Sequence, residues 1–332
     1  MIKKTLYFGN PSYLSTSNEQ LVVKLPEVEQ NAGLPESFKK ECIHTIPIED
    51  IGVIVLDHQQ ITITHGLIEK LLDNNAAIIT CDKSRMPVGL LLPLNGNTTQ
   101  SERFRDQINA SIPLKKQLWQ QTVKCKITNQ AKVLQEFRND KAKNMLAWAD
   151  NVKSGDSDNL EARAAVYYWK TLFPNIPNFY REREGIPPNN LLNYGYAILR
   201  AIIARSLVGS GLLPTLGIFH HNRYNAYCLA DDIMEPYRPY VDKLVIEIVD
   251  SANLTSKGFT LSETLTKVAP PLEPDAWLTL TKELKAKLLI IPTLDVVIEG
   301  KRSPLMIAAQ QTTASLYKCF TGELRKISYP EI

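Results

Sequence analysis

In this 332-residue chain, the residues whose types and spacing suit shared chemistry lie between Gly217 and Asp242, in the stretch GIFHHNRYNAYCLADDIMEPYRPYVD. His220 and His221 stand side by side, while the other three of the five histidines are scattered. Glu235 follows His220 by 15 residues and Asp232 follows it by 12. On a helix, Asp232 and Glu235 share a face at a spacing of three, and Asp231 and Glu235 do almost as well at four, so helix geometry leaves the choice of aspartate open. Pro236 has no N–H to donate and is tolerated in a first turn, which predicts a helix starting near Asp231 to Glu235 with the carboxylates at its mouth. An imidazole and carboxylates converging on one point suit a hard divalent ion, Mg²⁺ or Mn²⁺. A competing reading of equal weight is a satisfied histidine beside an acidic helix N-terminus, where the macrodipole favours carboxylates without any metal.

A chain of 332 residues buries a large core and divides naturally into two domains. Hydrophobic residues at 44% and charged residues at 22% are the balance of a soluble globular protein. The five cysteines (Cys42, Cys81, Cys125, Cys228 and Cys319) are odd in number and far apart, with no C-x-x-C pair. They read as reduced thiols, neither a disulfide frame nor a zinc site. The start MIKKTLYFGN has no apolar leader core, and no apolar run approaches membrane-spanning length, so a cytoplasmic protein is expected. Net charge is only +3, yet between Arg103 and Lys143 ten Lys or Arg face three acidic residues, a local +7 that leaves −4 for the remainder. Such a belt, including Lys115, Lys116, Lys124 and Lys126, is an electrostatic footprint for phosphate backbones, and its alternative reading is a solvated helix face.

The elements that must hold the acidic cluster follow from patterning. LYFG, QLVVKLP, CIHTIPI, IGVIVL and ITIT are short β-branched and aromatic runs separated by turn residues, and AAIITCD and PVGLLLPL continue the pattern after one short helix near residues 66–73. Residues 1–94 therefore read as a small β-domain. The polar segment around 95–102 reads as a linker. From Arg103 to residue 332 the spacing turns helical, with Pro113 punctuating the first stretch. In NVKSGDSDNLEARAAVYYWKTLF, Asp158 or Asn159 is suited to cap a helix whose first turn holds Glu161, a place the helix dipole alone would favour. REREGIPPNN is a charged loop whose Arg181 and Arg183 suit phosphate contact. LLNYGYAILRAIIARSLVGSG is a long apolar helix ended by Gly209 and Gly211, expected to lie beside the Glu161 helix. A Pro-rich break at VAPPLEPDAW and a last amphipathic helix from Ser303 complete the pattern.

The words themselves resemble a known family. GIFHHNRYNAYCLADDIMEPYRPYVD is similar to the signature of CRISPR-associated protein one, the spacer-acquisition integrase: a histidine, an acidic residue about a dozen positions on, then a D-L-M-E-P-F-R-P-L-V-D helix. EARAAVYYWKTLF matches the family's E-A-x-A-A-x-x-Y-W-x-x-L-F. FGNPSYLS and LADDIMEPYRP look most like the subgroup from type II systems. The resemblance implies an α+β fold, a small N-terminal β-domain that dimerises joined to a larger all-helical catalytic domain. It implies that Glu161, His220 and Glu235 are the catalytic metal ligands for Mg²⁺ or Mn²⁺, with Asp232 a nearby acidic residue, while His221, offset by one from the family spacing, is expected to point away or to contact substrate. The implied activity is metal-dependent endonuclease and integrase chemistry, in which 3′-hydroxyl ends of captured DNA are joined to a repeat array by transesterification. Implied partners are double-stranded DNA, a second copy of the chain, with strand edges and apolar faces such as IGVIVL as the contact, and CRISPR-associated protein two bridging two dimers. The rival readings are a non-catalytic DNA-binding scaffold and a metal-dependent phosphoesterase.

Overall fold

The computed structural model describes residues 2–176, 179–258 and 280–332, without the side chains of 252–258. The run IGVIVL forms a strand in which Ile51 to Val55 are all buried, a pattern that only a strand covered on both faces can show. It is β5 (Ile51–Leu56), and its neighbours explain both coverings. The N-terminal region runs β1 (Lys4–Phe8), β2 (Ser12–Ser17), β3 (Gln20–Lys24), two short helices α1 (Pro26–Glu29) and α2 (Glu36–Glu41), β4 (His44–Pro47), β5, β6 (Ile61–Ile63), α3 (His65–Asp73), β7 (Ala77–Cys81) and β8 (Pro87–Leu91). One sheet has the order β1-β5-β7-β8, parallel except at β8, and the other β4-β3-β2-β6.

Alternation along β5 and β7 sends side chains to two different cores. Ile51, Ile54 and Ile78 pack with Leu14, Leu21 and Val23 of the second sheet and Leu67 and Leu71 of α3. Val53, Val55, Ala77 and Ile79 belong instead to the core of the helical region. The apolar face of IGVIVL is thus consumed inside the chain, and the expectation that it offers a dimer contact is corrected. The β2–β3 hairpin turns at Asn18 and Glu19, both with positive φ, a turn without glycine that the sequence pattern does not flag.

The helical region comprises α4 (Gln100–Asn109), α5 (Ile112–Arg138), α6 (Lys143–Asn151), α7 (Leu160–Leu172), α8 (Asn189–Gly209), α9 (Cys228–Met234), α10 (Arg238–Gly258), α11 (Lys282–Leu288) and α12 (Leu305–Phe320). It is not all-helical: β9 (Asp295–Ile298), β10 (Lys301–Pro304) and β11 (Pro330–Glu331) form a small antiparallel sheet. The break at VAPPLEPDAW lies outside the described residues. Among the described residues only α8 is long and apolar enough to cross a membrane, and 83% of its apolar window is buried within the fold. Its apolarity on every side is that of a central core helix.

The segment between β8 and α4 is packed down. Asn97 donates its side-chain amide to the Gly209 carbonyl at 3.1 Å, and a Cβ on Gly96 would meet the Val208 carbonyl at 2.7 Å. A buried ion pair ties the sheet to the helices more tightly still. Lys285 of α11, 1% exposed, places Nζ 2.9 Å from Asp57 Oδ2 just after β5 and 3.1 Å from the Arg85 carbonyl. The Tyr7 hydroxyl donates to the same carboxylate oxygen. The Lys285→Met variant would leave the buried Asp57 charge with only the 3.8 Å approach of Arg85 as an ionic partner, and we expect it to lose about 3 kcal/mol of stability, with much of that recovered in Asp57→Asn/Lys285→Met. Urea unfolding followed by circular dichroism measures both, and an unchanged midpoint for the single variant would contradict the assignment.

Candidate functional site

Helix α5 carries the floor of the site. Its buried stripe includes Trp119, Thr122, Val123, Lys126, Ile127 and Gln130, the i, i+3, i+4, i+7 rhythm of an inward face. Lys126 therefore points into the protein and not onto the basic belt, which corrects its expected role as an exposed phosphate contact. Its Nζ lies 2.6 Å from Glu161 Oε1 and 2.6 Å from Glu235 Oε2. Arg238 approaches the other Glu235 oxygen at 3.0 Å.

Glu161 opens α7, and the helix is capped from further upstream than Asp158 or Asn159. Asp156, in a turn with Gly155 and Asn159 at positive φ, accepts the Leu160 and Glu161 amides at 2.9 and 3.0 Å. That carboxylate satisfies two orphan donors of the first turn. Helix α7 packs chiefly on α5 and α6, so α5, and not the long apolar α8, brings Glu161 to the site.

Glu235 lies at an internal joint, not at a helix mouth. Helix α9 begins at Cys228, a 3₁₀ turn covers Glu235 to Tyr237, and α10 continues from Arg238. Pro236 is tolerated because the helix restarts there. Asn129 of α5 bonds the Pro236 carbonyl at 2.9 Å and the Pro330 carbonyl at 2.9 Å, pinning the joint between α5 and the C-terminal strand.

Asp232, fully buried, is the anchor of the histidine loop. Its Oδ2 accepts the Ile218 and Phe219 amides at 2.7 and 2.9 Å, and Oδ1 accepts the His220 amide at 3.2 Å and faces His220 Nδ1 at 2.5 Å. A Cβ on Gly217 would come within 2.7 Å of that carboxylate, so the loop requires glycine there. Phe219 stacks on Trp119 with centroids 4.2 Å apart, and His220 meets the same indole edge-on at 5.5 Å. His221 is exposed.

The electrostatics follow from these contacts. Burial works to raise the Glu235 carboxyl, but Arg238 and Lys126 outweigh it and hold it below the ordinary range. Burial works to lower the Lys126 ammonium, but Glu235 and Glu161 hold it above its usual value. The Asp232 hydrogen bond raises His220 above an ordinary imidazole against the opposing effect of burial. Burial raises Asp232 itself, opposed by His220 and the backbone donors.

The structure thus brings Glu161 and Glu235 together, with His220 close enough to feel both charges. Among the described residues no three His, Cys, Asp or Glu side chains are grouped as a ready metal site. The donor chemistry nevertheless fits a hard divalent ion in two respects. Two carboxylates already converge on one cation, and Asp232 occupies His220 Nδ1, leaving Nε2 as the ring nitrogen for a ligand.

Much of the expected basic belt is engaged internally. Arg103 bonds the Ser210 carbonyl, Arg138 pairs with Asp250 at 2.8 Å, and Lys124 pairs with Asp150 at 3.0 Å. Lys116 is exposed and Lys115 half-buried. Arg181 is held by Asn189 and Asn193 and lies over the Tyr196 ring, while Arg183 is exposed. Sequence reasoning missed Trp119, Asp156, Arg238 and Asn129. For Lys126 the signal was present, since it falls seven residues after Trp119 on one helical stripe.

This two-part α+β architecture has known counterparts. A Cas1 protein from Thermotoga maritima superposes with a TM-score of 0.67 at 15% identity, covering 96% of this chain and 97% of that one. A casposase bound to integration product gives 0.71 at 19% identity over 98% of this chain and 92% of that one. At such identities the likeness establishes the fold. A family model described as CRISPR associated protein Cas1 matches residues 6–284. The CRISPR-associated endonuclease Cas1 of Neisseria meningitidis serogroup C is 39% identical over 258 residues, 77% of this chain and 79% of that protein. A Cas1 endonuclease of Pyrobaculum aerophilum is 29% identical over 241 residues, 68% of this chain and 81% of that protein. The chain belongs to the Cas1 family of CRISPR-associated endonucleases.

Because Asp232 holds His220 raised, their contact contributes stability that is fully present below the unfolded imidazole pKa, about 6.5, and is lost as pH rises through the higher folded value. Asp232→Asn should lower the His220 pKa and speed amide exchange at residues 218–220. Histidine NMR titration with hydrogen exchange measures both, and an unmoved His220 would contradict the anchor role.

Proposed function

We propose that this chain is a metal-dependent DNA endonuclease and integrase of CRISPR adaptation, joining the 3′-hydroxyl ends of captured DNA fragments into a repeat array. The observation that carries the reading is the convergence of Glu161 and Glu235, from two separate elements, on a single cation. Those three residues would hold Mg²⁺ or Mn²⁺, which when bound would polarise the scissile phosphate and stabilise the leaving oxygen. Asp232 orients His220 by fixing its tautomer, as a hydrogen-bonded carboxylate does for a metal-binding imidazole. Lys115, Lys116, Lys124, Arg181 and Arg183 are the basic residues we assign to phosphate contact, with Lys116, Lys124 and Arg183 exposed. Release of counterions at such contacts makes binding salt-dependent.

The structural neighbours support the partner reading. One neighbour is a Cas6-RT-Cas1–Cas2 complex and another the casposase with its integration product, so double-stranded DNA and a Cas2 protein are the partners we assign. The 39% identity to the Neisseria protein and the FGNPSYLS start favour the type II subgroup. A cytoplasmic location follows from access to cellular DNA. We take residues 1–94 as the dimerising region and 103–332 as the catalytic one, with 95–102 between them. Exposed Val88 and Leu91 on edge strand β8, with Leu94 beyond it, are among the apolar contacts this region offers a second copy. Sedimentation at micromolar concentration should show a dimer, and a monomer would refute that assignment.

The deciding experiment incubates the protein, with its small partner, with a 3′-hydroxyl duplex, a repeat-bearing plasmid and Mn²⁺. Glu161→Gln, His220→Ala and Glu235→Gln should each lose joined product by about 100-fold or more, as expected for loss of a metal ligand, while His221→Ala keeps most of it. Reversal of Lys115 and Lys116 to Glu should weaken DNA capture in the same assay. Joining that survives all three ligand variants would overturn the ligand assignment, and wild type that captures DNA without joining it would be a non-catalytic scaffold.

A further inference from the structure

The cluster around Glu235 is balanced within itself. Two carboxylates, Glu161 and Glu235, face two cations, Lys126 and Arg238, at 2.6, 2.6 and 3.0 Å. A divalent cation added to that set would leave two positive charges in excess among residues that are largely buried, which a low-dielectric setting opposes. One cation must therefore give way. Arg238 approaches one Glu235 oxygen and has its guanidinium 4.8 Å from the Tyr196 ring, so it is braced away from Glu161. Lys126 alone touches both carboxylates.

We propose that Lys126 is a built-in stand-in for the metal ion: its ammonium holds Glu161 and Glu235 converged in the metal-free protein and must leave their oxygens before an ion binds between them. The inference rests on the metal-site reading above and adds a positioning residue to it. Geometry supports the exchange. Two oxygens each 2.6 Å from one nitrogen lie at most 5.2 Å apart. An ion with ligands at about 2.1 Å brings two oxygens to within about 4.2 Å, so the carboxylates need to close by only about an ångström. The outgoing group suits the part, since lysine is a compact charge on a flexible four-carbon stem, unlike a planar guanidinium locked by a bidentate fork. The side chain is 11% exposed, so it is not sealed completely from solvent. Without any cation, two carboxylates this close would repel and one would take up a proton.

A metal-free counter-ion and a mere structural brace predict opposite changes in metal affinity. Removing a brace loosens the ligands and weakens binding, whereas removing a competing cation strengthens it. The test titrates Mn²⁺ calorimetrically into the full-length wild type, Lys126→Met, Lys126→Gln and Lys126→Arg at one pH, with Glu161→Gln as the ligand control. Melting curves in EDTA and in saturating Mn²⁺ are recorded for each. Lys126→Met and Lys126→Gln should bind Mn²⁺ about tenfold tighter than wild type, one step on the affinity scale. Lys126→Arg, which keeps the charge, should bind no tighter than wild type. In EDTA the two neutral variants should melt lower than wild type, and Mn²⁺ should raise their melting temperatures by more than it raises that of wild type. If wild type binds Mn²⁺ in a manner that Glu161→Gln abolishes, yet both neutral variants bind equally or more weakly, the stand-in role is overturned and the metal site stands. If wild type shows no Glu161-dependent binding, both readings fall together.

Discussion

The site depends on one contact: a single ammonium, on the buried face of α5, shared by two carboxylates from distant parts of the chain. Buried like charges cannot be held together without a compensating cation, and a buried lysine cannot stay charged without carboxylates. Each member thus makes the others tolerable. Around this triad the other placements follow. Asp156 caps α7 so that Glu161 sits in its first turn, and Asn129 pins the joint at Pro236 so that Glu235 faces inward. Asp232 folds the loop that brings His220 alongside. These three supports are polar side chains satisfied by backbone groups, a rigid way to aim a neighbour.

A second buried carboxylate reinforces the same frame by different means. Asp242 of α10, fully buried, accepts the Tyr168 hydroxyl of α7 at 2.8 Å and the Tyr196 hydroxyl of α8 at 2.5 Å. Burial raises its carboxyl to about 6. Tyr196 in turn lies under both Arg181 and Arg238. Asp242 joins the Glu161 helix to α8 and α10 through hydroxyls, and α5 joins it to Glu235 through charge. The N-terminal sheet is tied in independently by Lys285 and Asp57 and by the two-sided burial of β5 and β7. Catalytic frame and sheet therefore share one hydrophobic core.

What was legible in advance was what local pattern and familiar wording carry. The runs LYFG, IGVIVL and AAIITCD show their strand character in composition, and residues 66–73 and 191–211 show their helical spacing, because periodicity is written residue by residue. Less visible elements had weak local signals. Strand β2 is SYLSTS with no alternating apolar face, β9 to β11 are four residues or shorter, and α6 opens on an alanine at positive φ without a side-chain cap. Glu161, His220 and Glu235 were singled out through a resemblance in motif, while spacing alone left Asp231 and Asp232 equivalent.

The tertiary structure decided which of two chemically equal residues does which task. Asp232 turns to three backbone amides and His220, while Asp231 turns to Arg200 of α8 and to Asn225. Lys126 and Lys124 are two apart in a basic stretch, yet one is enclosed between carboxylates and the other pairs with Asp150 at the surface. Composition counts both as belt charges. On a helix two positions differ by about 200° of rotation, so the packing of α7 and the α9–α10 joint against one face of α5 separates a counter-ion from a surface lysine. By itself the sequence determined the strand and helix types and, through its motifs, the family. Side-chain roles within the site were decided only by folding, since they depend on what the rest of the chain brings to each helix face.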